Sequence, residues 1–206
     1  MLDRRLPFTQ NRLLQGLVAW LAGFWLLMAI APNNRFDWLL ENLLVFVYLA
    51  LLAATYPRFR FSNTSYALFT LFLTLHLLGA HYTYAETPIG FWLQDLFGFS
   101  RNHYDRIVHF SYGLLIAWPF RELLLRLSGV RTGWAAFLAI NMVLAFSAFF
   151  ELLEAWIAMI VSPELGDAYL GTQGDIWDAQ RDMALALLGA ILAMLPTLWP
   201  RLRRPS

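Results

Sequence analysis

The chain has no cysteine and no lysine; its fifteen basic residues are all arginine. The first absence removes disulfides, thiolate metal sites and a cysteine nucleophile. The second removes a lysine Schiff base and the lysine of a phosphate-binding loop. Charge is scarce as well, at 14% of the 206 residues, where a soluble domain carries about a quarter. The net charge is only +1, so there is no broad basic field of the kind that holds nucleic acid. What the chain has in abundance is apolar: 59% hydrophobic and 17% aromatic residues. That balance suits a lipid bilayer, and the length suits a single integral membrane domain over 1–206 with no second soluble one.

Six apolar runs predict an all-α, polytopic membrane protein, a bundle of six transmembrane helices. The expected spans are 13–31, 38–55, 66–84, 104–127, 133–161 and 179–199, each near the roughly 17–25 residues that cross the hydrocarbon core. Pro32, Pro57, Pro88, Pro163 and Pro200 fall in or beside the connections, where helix breakers belong. Arginines ahead of the first run, and its Ala29-Ile30-Ala31 ending, resemble a signal peptide. The run is long enough to span, however, and Pro32 follows it directly, so a retained first helix is expected.

The arginines set the expected orientation. With the N-terminus inside, Arg4, Arg5, Arg12, Arg58, Arg60, Arg121, Arg126, Arg131, Arg201, Arg203 and Arg204 share one side, against Arg35, Arg101, Arg106 and Arg181 on the other. Basic residues mark the cytoplasmic face, which puts both termini there. Glu86, Asp95, Asp105, Glu164, Asp167, Asp175 and Asp178 sort to the opposite side. Two outer connections, Ala85–His103 and Ser162–Asp178, are long and rich in aromatic residues or glycine. They read as folded loops that cap a site.

The polar residues of the spans gather at that outer level. On a helix, residues three or four apart share a face. Asp105 therefore projects with His109, Glu151 with Glu154, and Asp178 with Asp182, while His81 ends the third span at a similar depth. Asp105 and Asp178 sit at helix starts, where a carboxylate also stabilises the helix dipole. Glu151 and Glu154 lie among apolar neighbours, and two such carboxylates need a cation, a shared proton or an arginine. Ionisable groups inside a membrane carry a functional reading by default. His76 reads as structural, since it does not share a face with His81. Glu41 opens the second span on the same side.

The segments His81–Ala85, Arg101–Arg106, His109-Phe110, Glu151–Glu154 and Gly171–Met183, in that order, resemble the YjdF-like bacterial inner-membrane family. The resemblance implies an inner-membrane location and brings no activity with it. Asp105-Arg106-Ile107-Val108-His109, followed by Glu151 or Glu154 and then Asp178 to Asp182, also resembles the pattern of VanZ-like membrane proteins. That likeness implies an envelope lipid or lipid-linked substrate.

Three functions are compatible with these residues. The first is a metal-dependent membrane enzyme. His81, Asp105, His109, Glu151, Glu154, Asp178 and Asp182 would be its ligand set, and Asp105, His109 and Glu154 its catalytic groups. A mixed imidazole and carboxylate set suits a divalent metal such as Mn, Fe, Zn or Mg. The second is a proton- or cation-linked carrier, for which the apolar inner halves of the spans provide no polar path. The third is a non-enzymatic accessory protein whose polar groups hold helices together.

Overall fold

The computed structural model describes residues 6–202, the side chains of 164, 167, 168 and 198–202 excepted. Arg4, Arg5, Arg203 and Arg204, and the side chains of Arg201, Glu164 and Asp167, lie outside the described residues, so part of the orientation argument does too. The described residues are helical throughout. Eight α-helices follow a short 3-10 turn: α1 (Arg12–Met28), α2 (Arg35–Thr55), α3 (Asn63–His81), α4 (Pro88–Phe97), α5 (Tyr104–Leu127), α6 (Thr132–Ile160), α7 (Pro163–Leu170) and α8 (Asp178–Leu202). The two long connections, 85–103 and 162–178, each contain a helix of their own, α4 and α7.

The starts of α1, α2 and α3 are built by side-chain caps. Asn11 Oδ1 accepts from Leu14 N–H, Asn34 Oδ1 from Phe36 and Asp37 N–H, and Ser62 Oγ from Ser65 N–H, covering amides that no helical carbonyl reaches. By length and composition, α2, α6 and residues Asp178–Thr197 of α8 are long and apolar enough to cross a membrane; α1 is apolar but only 17 residues long. Six apolar runs were expected. The difference arises because α3 and α5 carry polar side chains, among them His76, His81, Asp105, Arg106, His109 and Glu122.

Three helices form the tightest part. Ala117 of α5, Ala136, Ala139 and Val143 of α6, and Ala186, Ala190 and Met194 of α8 are buried together. Small residues bring helix backbones close, and close packing is what holds helices together in lipid, where apolar burial from water is absent. At Gly113 an added Cβ would lie 1.8 Å from the Ala186 carbonyl oxygen, and at Gly189 one would lie 2.2 Å from that of Phe110. No other residue fits at this crossing of α5 and α8. Hydrophobic clusters then tie α3 to α5 through Phe69 and Ile116, and α1 to α3 through Leu21, Leu73 and Leu77. By contrast, α2 leans on α3, with a smaller contact to α7.

Candidate functional site

The glycine crossing sets the position of the site. It holds the first turns of α5 and α8 side by side, so Asp182 comes to Asp105 and His109. One ligand atom from each of these three lies within 4.8 Å of the other two. His109 Nε2 stands 3.5 Å from Asp105 Oδ1 and 3.6 Å from Glu151 Oε1, so α6 contributes a fourth group. Glu154 lies one turn further along α6. His109 and Asp182 are buried, and Asp182 Oδ1 and Glu151 Oε1 have no hydrogen-bond partner. Buried acceptors in native proteins nearly always have one.

Asp178 and His81 have other partners. Asp178 receives Arg101 Nη1 at 2.6 Å and Arg106 Nη2 at 3.2 Å. Arg101 also donates to the Thr172 carbonyl at 2.8 Å, and Arg106 and Arg181 both donate to Asp175. Asn102 and Gln173 exchange bonds: Asn102 N–H donates to Gln173 Oε1 at 3.0 Å and Gln173 Nε2 to Asn102 O at 2.9 Å. The long glycine-containing segment 171–178 is thus latched onto the start of α5 by charge-assisted bonds, the stronger kind. Asn102 Nδ2 donates to Thr87 O, and Gly90 packs so closely against the Asn102 amide that a Cβ there would lie 1.7 Å from its oxygen. His103 sits at the edge of this latch. Partial burial and the neighbouring Arg106 and Arg101 hold its pKa below the usual histidine value. His81 lies at the end of α3, where its Nδ1 meets Met28 O at 2.9 Å, beside α1 and apart from the Asp105–His109–Asp182 group.

A further set of polar groups, on α2 and α3, was not among the expected ligands. Asp37 and Glu41 of α2 are 4% and 3% exposed, and Asp37 Oδ1 and Glu41 Oε2 have no hydrogen-bond partner. His76 Nε2 stands 3.2 Å from Glu41 O and 3.7 Å from Glu41 Oε2, and Tyr84 Oη is 2.6 Å from His76 Nδ1. Thr83 and Tyr84 both adopt positive φ, 51° and 50°, a conformation that costs a non-glycine residue on the order of 1–3 kcal/mol. It folds the Tyr84 ring back over Gly79, where a Cβ would lie 2.5 Å from the ring. The only sequence signal for this set was the i, i+4 spacing of Asp37 and Glu41, which an ordinary acidic helix start also has.

Between α2 and the pair α5 and α6 runs a cavity of about 390 Å³. His76, Tyr84, Asp105 and His109 form its polar end, and its walls are aromatic and aliphatic: Leu44, Val47 and Leu51 from α2, Phe72 from α3, Ile116 and Phe120 from α5, Phe146, Phe149 and Phe150 from α6. The chemistry of such a site is that of a few convergent polar groups at the head of an apolar slot.

Over residues 13–202 the chain matches the model of a family described as predicted membrane protein (DUF2238). It is 41% identical over 167 residues to the inner membrane protein YjdF of Escherichia coli strain K12, covering 81% of this chain and 79% of that one. No solved structure matches. The chain belongs to the DUF2238 family of membrane proteins, and it is a multi-pass protein of the inner membrane.

Proposed function

We propose that the chain crosses the inner membrane six times with both termini in the cytoplasm, and that it binds a divalent metal near the outer surface. Asp105, His109 and Asp182 are the core ligands, with Glu151 as a fourth, and the site acts as an enzyme on an envelope lipid or lipid-linked substrate. The observation that carries the reading is the approach of three ligand atoms, from two helices, to within 4.8 Å of one another. The partnerless buried oxygens of Asp182 and Glu151 beside them support it. Converging carboxylates repel, and a cation is the simplest means of holding them together.

One imidazole among carboxylates fits Mn, Fe, Zn or Mg. A metal bound there would supply Lewis-acid polarisation of a carbonyl or phosphoryl oxygen and acidify a bound water. Around it, Asp105 orients His109, and Glu151 with Glu154 can hold a proton within reach. The apolar cavity at the side of this cluster supports a substrate with a hydrocarbon part. The arginine-rich ends favour the orientation, since Arg126 and Arg60 meet at the end opposite the site.

The test is metal content by mass spectrometry of the purified protein, wild type beside Asp182→Asn, His109→Ala and Glu154→Ala. A near-stoichiometric metal that falls in the first two variants is expected. A well-folded wild type without metal after supplementation overturns the reading.

A further inference from the structure

The cavity between α2 and α6 is lined by two residues whose hydroxyls have no hydrogen-bond partner among the described residues. Tyr48 Oη and Ser147 Oγ are buried, and neither has a hydrogen-bond partner. Ser147, 2% exposed, lines the cavity, as does Tyr48. Helical hydroxyls normally return to a carbonyl one turn back. Thr55, Thr70, Thr74 and Ser128 all do so here, at 2.6–2.9 Å. Ser147 does not, and a buried hydroxyl left unbonded is costly, so its partner comes from what fills the cavity.

Position along the cavity says what that partner is. Ser147 lies one turn of α6 deeper than Glu151, about 6 Å at the helical rise, and Tyr48 about two turns along α2 from Glu41. Inward from the charged cluster the cavity therefore presents two hydroxyls among aromatic walls, with Phe120 stacked on Phe146. The rim is open to the side, because Leu44, Val47, Leu51 and Phe149 are 39–59% exposed on the protein's flank, the surface that meets lipid. An acyl lipid has the same order: a polar head, an ester carbonyl a short distance below it, and a hydrocarbon chain. A polyisoprenyl phosphate has no acceptor at the middle level and would leave both hydroxyls unbonded.

We propose that this cavity takes one fatty-acyl chain of an ester-linked phospholipid, entering sideways between α2 and α6, with Tyr48 and Ser147 donating hydrogen bonds to the ester carbonyl. The head group then stands at Asp105, His109 and Asp182; that part alone rests on the metal-site reading.

The experiment uses the full chain in vesicles of phosphatidylethanolamine and phosphatidylglycerol doped with a phosphatidylglycerol that carries a photoreactive diazirine in one chain. Labelled peptides are mapped by mass spectrometry, and metal content is measured on the same samples. Labelling concentrated on the α2 and α6 cavity residues is expected, displaced by excess phosphatidylglycerol and not by a polyisoprenyl phosphate. The near-isosteric double variant Tyr48→Phe with Ser147→Ala should lower it about tenfold, as the loss of two hydrogen bonds implies. Val47→Trp, on the exposed rim, provides a second variant that closes the entrance and should also lower it. Labelling spread evenly over the lipid-facing surface, equal displacement by polyisoprenyl phosphate, or labelling unchanged in both variants overturns the proposal. Cavity labelling in a protein free of metal overturns the metal reading alone; metal bound without cavity labelling overturns this one alone.

Discussion

The two ends of α5 each hold a shielded acid, and the two are treated in opposite ways. Near the far end, Glu122 accepts from Ser62 N–H at 2.8 Å, from the hydroxyls of Ser62 and Ser65 at 2.7 and 2.5 Å, and from Arg126 Nη1 at 2.6 Å. Arg126 in turn lies 4.0 Å over the Phe59 ring. Every lone pair has a use, and the result is a clasp between α5 and the start of α3. At the near end, Asp182, Glu151, Glu41 and Asp37 each keep an oxygen with no partner. Desolvated carboxylates that hold a structure together are fully bonded; acids left unbonded in a cluster are what the proposed metal site requires. The contrast separates scaffold from site without reference to any relative.

The largest effect should come from Gly113→Ala. Its Cβ has backbone in its way rather than a movable side chain, so α8 must shift from α5, at a cost of at least about 1–3 kcal/mol. Size-exclusion profiles and thermal unfolding should both deteriorate, and metal content should fall with them. Next comes a direct comparison of the two ends. Glu122→Ala should destabilise the protein by about 2 kcal/mol, the scale of charge-assisted bonds lost, without altering metal binding while the fold persists. Asp182→Asn should leave the melting temperature in chelator unchanged or raised, because it removes repulsion, yet lower metal content. The reverse ranking in detergent melts would end the distinction between clasp and site.

The smallest effect concerns pH and the latch outside the spans. Desolvation pushes the Asp175 carboxyl up, but the Trp177 N–H, Arg181 and Arg106 outweigh it and hold its pKa below the ordinary value of 3.8. A carboxyl lowered on folding contributes stability that is present above its unfolded pKa and lost as pH falls through its folded one. Hydrogen exchange of the 171–177 amides should therefore keep its protection down to about pH 4 and lose it only in stronger acid. Loss near neutral pH would exclude Asp175 as the anchor.

Much of this arrangement was legible from spacing and hydropathy. The boundaries expected for 104–127 are those of α5, and those for 133–161 differ by one residue at each end from α6, because long apolar runs stop beside Gly129 and Pro163. The pairing of Asp105 with His109 follows from an i, i+4 interval. Which helices face one another does not follow from any interval. Asp178 and Asp182 share a face in sequence terms, yet Asp178 turns to Arg101 and Arg106 while Asp182 turns to His109, a choice made by a loop whose path leaves no periodic trace. His76, and not His81, lines the cavity for a similar reason: His76 meets Glu41 of α2, whereas His81 meets Met28 of α1.

The crowding of α5, α6 and α8 around their shared alanines has a consequence for biosynthesis. The chain is made from its N-terminus, so α1, α2 and α3 are synthesised before the helices that complete their packing exist. Asp182 arrives on α8, together with the Asp178 that neutralises Arg101. A nascent chain that stops short of residue 178 leaves Arg101 and Arg106 without that carboxylate and His109 without its α8 neighbour. The cluster thus assembles only when α8 docks, which makes an intact cluster a record that synthesis ran past residue 182.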